Sequence, residues 1–142
     1  MRDDKSIRIL GEYALKNGFL LQIPDCHYLE GEETRGIDLE VDFENEKTCH
    51  NNDIGEISVA GYYNCCGSKI IHSLVYHSDL VAWILIRAAI LATWGNGSLQ
   101  YICTNKQKRI ENALIGNGFK LVQKVRNPKT GRCLLLYVYN QK

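Results

Sequence analysis

No run of this sequence is apolar for long enough to cross a bilayer as a helix. The most apolar stretch, Leu80 to Trp94, has 15 residues and is broken by Arg87 and Thr93, against the ~20 that a span needs. It reads instead as a buried helix. The opening residues, Met-Arg-Asp-Asp-Lys-Ser, are charged and lack the apolar core of an export leader. The expectation is a cytoplasmic protein with no membrane span, its six cysteines kept as thiols. Close metal-binding pairs of the C-x₂-C kind are also missing. Cys26-His27 and Cys49-His50 are adjacent pairs, which point apart on a strand, and Cys65-Cys66 is no better. No metal site is expected; the plainer reading is small buried side chains and polar loops. Aromatic residues are sparse in the basic C-terminal part until Tyr137 and Tyr139, so no platform for stacking nucleic-acid bases is evident.

The chain is nonetheless rich enough to fold. Of its 142 residues 45% are apolar and 23% charged, which fits one globular domain over 1–142 with a real core. Its net charge of +1 hides a split. Asp25 to Glu56 carries eleven acidic and two basic residues, whereas Lys106 to Lys142 carries nine basic and one acidic. The plainer expectation is that the two segments face each other and cancel.

Periodicity gives the order of elements. Ile7, Leu10, Ala14 and Leu15 have helical spacing, with Ser6 as the expected N-cap and Asn17-Gly18 as the stop. Phe19 to Ile23 reads as a strand stopped by Pro24. Residues 37–44 alternate strictly: Ile37, Leu39, Val41 and Phe43 on one face, Asp38, Glu40, Asp42 and Glu44 on the other. Strands over 54–63 and 68–77 follow, and the three suggest an antiparallel meander. Ser78 should cap the helix that runs from Asp79 to Trp94. Arg87 is the lone charge in that helix and should be buried against a carboxylate or several carbonyls. After it come a strand over 98–104, a basic helix from Lys106 to Asn117 with Ile110, Ala113 and Leu114 inward, and a closing hairpin that turns at Pro128 to Gly131. A helix between two strands of one sheet asks for a parallel pair. The fold class is therefore α+β (mixed α/β): a mostly antiparallel sheet of six to seven strands with a central parallel pair and a buried helix at 79–94.

From about Ile37 onward this order resembles the GNAT superfamily of acetyl-CoA-dependent N-acyltransferases. Thr104-Asn105, the helix to Asn117, Gly118-Phe119 and the strands at 120–127 and 132–140 follow that family's plan, and the stretch Lys69 to Leu80 resembles its central strand entering the cofactor helix. The resemblance implies that pyrophosphate would lie on a loop of the form Arg/Gln-x-x-Gly-x-Gly/Ala and on the helix N-terminus behind it. Here that place reads Val75-Tyr76-His77-Ser78-Asp79-Leu80, without glycine and with an acid. Asn64-Cys65-Cys66-Gly67-Ser68 lies some ten residues too early. The family's tyrosine acid, four residues before the Gly of the Gly-Phe pair, is replaced by Leu114.

On that resemblance the candidate catalytic groups are Glu56 or Asp53, His72 and His77 as base and Tyr76 as acid. Candidate cofactor contacts are Tyr76, His77, Ser78 and Asn105. For either histidine a satisfied strand residue is the plainer reading. The C-terminal pattern is also similar to that of an internal virion protein of short-tailed coliphages, which shares the lost glycine loop.

The leading reading is thus a GNAT-like fold that binds no cofactor and works by contact with a protein partner, as an accessory or virion protein of a phage or mobile element. It would reside in the host cytoplasm or the virion. The first alternative is an active N-acyltransferase, with acetyl-CoA as cofactor and the acidic face at 38–44 attracting an amine. The second makes that face a nucleic-acid mimic that inhibits a defence protein. Lys106, Lys108, Arg109, Lys120, Lys124 and Arg126 could touch nucleic acid, but such runs are more often solvated faces.

Overall fold

A computed structural model describes residues 4–23, 37–43, 55–61, 69–93 and 97–140. The elements are α1 (Asp4–Lys16), β1 (Phe19–Gln22), β2 (Ile37–Phe43), β3 (Gly55–Gly61), β4 (Lys69–Tyr76), α2 (Asp79–Ala92), β5 (Ser98–Thr104), α3 (Lys108–Gly116), β6 (Lys120–Arg126) and β7 (Cys133–Asn140). The strands form one sheet in the order β1-β2-β3-β4-β5-β7-β6. Neighbours are antiparallel except β4 and β5, which are parallel. The crossover through α2 makes that parallel pair, because a hairpin cannot.

The expected class and strand count are both found, with shifted boundaries. α1 begins at Asp4, so Ser6 lies inside the helix and does not cap it. Asp4 takes the place of an acid in the first turn, favourable to the helix dipole. α2 ends at Ala92, and Thr93 is its C-cap. There the Thr93 hydroxyl and amide both donate to the Ala89 carbonyl, and the helix stops two residues before the expected end. Trp94 lies outside the described residues. α3 starts at Lys108, not Lys106, because the Gln107 side chain accepts a hydrogen bond from the Thr104 amide (2.8 Å) and holds the preceding turn.

The three described helices cover one face of the sheet. Leu39, Val41, Ile57, Val59 and Ile71 meet Val81, Ile84, Leu85, Ile86 and Ile90 of α2 in one buried cluster. Each such side chain contributes about 1.5–3 kcal/mol by leaving water. Gly55 is the point of closest approach: a Cβ there would lie 2.6 Å from Val81 Cγ1 and 2.8 Å from Leu85 Cδ1. The other face carries Val75, Ile102, Val125 and Leu134, all exposed. They share that face because Ile102 lies opposite Leu136, two residues from Leu134, and Leu134 lies opposite Val125.

Both Asn-Gly-Phe sites act as the same stop. Gly18 and Gly118 have φ of +85° and +95°, a conformation that costs a side chain strain. They differ in surroundings. A Cβ at Gly18 meets nothing within 4 Å, whereas one at Gly118 would lie 3.3 Å from the Tyr139 ring. Gly18→Ala is therefore expected to cost about 1–2 kcal/mol from strain alone. Gly118→Ala should cost more, measured as a larger drop in the urea midpoint.

Most of the acidic segment whose charge was expected to face and cancel the basic one lies outside the described residues. β2, within the acidic segment, is the second strand from one edge, and the basic hairpin β6–β7 forms the other edge, with three strands between. The acidic side chains proposed for one face of residues 38–44 lie outside the described residues.

Candidate functional site

β4 and β5 are paired only over Lys69–Ile71 and Leu99–Tyr101. Beyond that the strands part. The cause is a bulge: Ser58 lies opposite Ser73 and Val59 opposite Ile71, so His72 is an extra residue on β4. A bulge bends its strand and adds twist, and here it falls where pairing with β5 ends.

The parted ends deliver two helix N-termini to one place. β4 runs through Tyr76 into Ser78 and α2, and β5 runs through Thr104 into Gln107 and α3. Ser78 caps α2 as expected, its Oγ accepting from the Val81 amide at 3.3 Å, and its carbonyl accepts from Ala82. Asp79, the first residue of α2, accepts a hydrogen bond from Arg109 Nε at 2.7 Å. The Arg109 guanidinium also sits 5.6 Å from the Tyr76 ring centroid, within cation–π range. Asp79 holds the Arg109 pKa above its usual value, first through the hydrogen bond and then through charge. The pair is open to solvent, with side chains 59% and 73% exposed, so its worth to stability is small. Its interest is position.

The candidate residues are only partly gathered here. Tyr76, His77 and Ser78 lie together at the start of α2. Asn105 follows β5, and its amide is used in a bond to the Cys133 carbonyl (3.3 Å). Glu56 lies opposite Val75 and Tyr76 opposite Gly55, so the candidate base Glu56 and the candidate acid Tyr76 point to opposite faces of the sheet. His72, on the bulge, and His77 are both exposed. Asp53 and the Asn64–Ser68 stretch lie outside the described residues, as do Cys26, His27, Cys49, His50, Cys65 and Cys66. Among the described residues no group of histidine, cysteine or acidic side chains could hold a metal.

Arg109 was not among the cofactor candidates; its sequence context suggests a solvated basic face or a nucleic-acid contact. One signal was present: it stands in the first turn of α3 beside Lys108, where the helix dipole disfavours a cation. Asp79 supplies the compensation.

Among the described residues Arg87 meets neither the expected carboxylate nor carbonyls. Its guanidinium stacks over Trp83, 5.3 Å from the ring centroid, and its buried Nε has no hydrogen-bond partner.

Behind the site α3 is fastened to β7 by a buried acid. Tyr137 donates to Glu111 Oε1 at 2.9 Å, and Lys108 lies 3.5 Å from Oε2. Burial and then the Glu111 carboxylate push the Cys103 thiol up to about 11. Burial, then the hydrogen bond and charge of Glu111, push Tyr137 up to about 12. Both groups keep their protons in the folded state after the unfolded chain has begun to lose them. Stability should therefore fall with rising pH, from about 9 to about 11 for Cys103 and from about 10 to about 12 for Tyr137. Cys103→Val should flatten the first of these declines in urea midpoints taken across that range.

No family model matches the sequence, and no curated protein matches it. Solved structures do match. An acetyltransferase of the GNAT family from Bacillus cereus superposes with a TM-score of 0.53 at 10% identity, over 74% of this chain and 70% of that one. The ribosomal-protein-S5-alanine acetyltransferase from Vibrio fischeri gives 0.55 at 11%, over 75% and 62%. RimJ from Mycobacterium smegmatis, in complex with CoA-disulfide, gives 0.55 at 12%, over 75% and 53%.

The fold is the GNAT fold.

At these identities the likeness speaks for the fold alone. Within a GNAT frame, the place that the sequence resemblance assigns to pyrophosphate is the start of α2, where Asp79 and Arg109 are paired. The place it assigns to the tyrosine acid holds Leu114, fully buried in the core.

Proposed function

We propose that this protein uses a single GNAT-like domain to bind a protein partner and does not transfer acetyl groups. The observation that carries this reading is the Asp79–Arg109 ion pair at the α2 N-terminus. A helix start favours an anion because its amides are unpaired and its dipole end is positive. Asp79 puts a carboxylate there, engages the nearest cation, and leaves no glycine to let phosphate approach. Three further points agree with it. The candidate base and acid lie on opposite faces of the sheet, and Leu114 offers no proton. Val75, Ile102, Val125 and Leu134 leave apolar surface exposed on the face that the described helices do not cover, as a partner surface would.

A cytoplasmic setting suits this reading. Among the described residues no helix is long and apolar enough to cross a membrane, and Cys103 and Cys133 are free thiols. The virion role keeps only its sequence resemblance, since the solved structures named above are acetyltransferases.

A second reading, an N-acyltransferase that takes acetyl-CoA, is favoured by one feature: the opening between β4 and β5 beyond the His72 bulge. Related folds have been solved with coenzyme A, among them an AAC(6')-Ib complex with ribostamycin and coenzyme A. The two readings separate in a transfer assay. Incubated with acetyl-CoA and a mixture of amines and peptide N-termini, the protein should release no free thiol above the uncatalysed rate. Saturable release that depends on an amine would overturn the proposal.

A further inference from the structure

A groove runs between α1 and α2 on the outer side of the helical layer. Ser6, Ile9, Leu10 and Tyr13 of α1 line one wall, and Trp83, Arg87 and Leu91 of α2 the other; its volume is about 340 Å³. The spacing makes the walls. Trp83, Arg87 and Leu91 recur every four residues and so stack along one face of α2, and Ser6, Ile9 or Leu10, and Tyr13 do the same along α1. Tyr13 and Trp83 meet edge to face, with centroids 6.0 Å apart. The volume lies at the lower end of the range for small-molecule pockets.

One polar feature of this groove lacks a counterpart. Among the described residues Arg87 is the single charged one lining it, and its Nε is buried without a hydrogen-bond acceptor. The Trp83 ring under the guanidinium supplies cation–π attraction but accepts no N–H in its plane. A desolvated guanidinium nitrogen left unpaired is costly, and no carboxylate among the described residues pairs with it. The groove is therefore apolar and aromatic over most of its wall, with one unsatisfied cationic donor.

We propose that this groove is a binding site for a small aromatic carboxylate, separate from the α2 N-terminus. Because Nε itself is closed to solvent, the carboxylate would pair with the two terminal nitrogens of Arg87, the end-on bidentate geometry that a guanidinium offers. The ring would pack on Tyr13, Ile9 and Leu91, and the Trp83 ring would hold Arg87 in place from behind. Recognition is thus by one fixed charge and a flat apolar body. A phosphate with no apolar body would leave the aromatic wall wet, and a neutral arene would leave the guanidinium without an anion. The site stands whether or not acetyl-CoA binds, since no residue is shared with the Asp79–Arg109 region.

The test is a pair of titrations of the full ¹⁵N-labelled chain, one with 2-naphthoate and one with 2-naphthamide, which has the same shape without the charge. Naphthoate should bind saturably, moving the Trp83 indole N–H and the Arg87 Nε–H signals. The amide should bind at least about tenfold more weakly. Arg87→Met keeps length and apolar bulk, and should cost naphthoate about tenfold while leaving the amide unchanged. Tyr13→Ala, at a half-exposed position, should weaken both. No saturation by naphthoate below about 10 mM would overturn the proposal. Equal affinity for acid and amide would do so as well, and that comparison on the unaltered protein decides even if Arg87→Met does not fold.

Discussion

Asp79→Gly should bind acetyl-CoA at least about tenfold more tightly than the unaltered protein, an effect of more than one decade in Kd by calorimetry. Three changes act in the same direction. The carboxylate that would repel pyrophosphate is gone. Arg109, which now donates to Asp79 at 2.7 Å, is released to meet a phosphate oxygen. Glycine in the first turn lets a phosphate approach the amides of residues 79 and 80, which the Ser78 cap does not occupy. The double variant Asp79→Gly, Arg109→Ala should lose most of the gain. If the single variant gains nothing, the α2 N-terminus is not a latent anion site, and the ion pair is only a surface contact.

Leu85→Ala should be the most damaging of the simple truncations, at about 2–5 kcal/mol. Leu85 is fully buried and forms part of the ceiling over Gly55. Its loss leaves a hole between α2 and β3 that glycine has no side chain to fill. The melting midpoint should fall by roughly 5–20 °C for a chain of this size. A fall of only a degree or two would mean that α2 is not the centre of the core.

The fold was legible because its signals are local. Strict alternation at 37–43 and an apolar run too long for a strand each named their element, and the helix between strands implied the parallel pair. Boundaries were misread where a side chain decides them. The Gln107 side chain delays α3, and this does not show as periodicity. The charge split was visible in composition, but strand order, which sets where its two segments can lie, is contained in no count of charges.

The site was legible on one of its two sides. Ser78 and Asp79 could be placed at a helix start from the N-cap pattern and the end of the strand. Arg109 could not, because its partner is thirty residues away and only the parting of β4 and β5 brings them together. The separation of Glu56 from Tyr76 follows from strand parity across a bulge at His72. A bulge leaves no mark in one sequence, so the register that sets those faces was out of reach. Arg87 shows the same limit: a charge in an apolar helix predicts a partner, but not that the partner is the Trp83 ring.

The central claim is that the Asp79–Arg109 pair closes the cofactor end of this GNAT fold. The most direct measurement follows the backbone amides of Asp79 and Leu80 and the Arg109 Nε–H of the unaltered protein by NMR during titration with acetyl-CoA. The account predicts that none of these signals shifts saturably up to about 1 mM. Saturable shifts at all three with a micromolar Kd would contradict it and make the protein a coenzyme A-binding one.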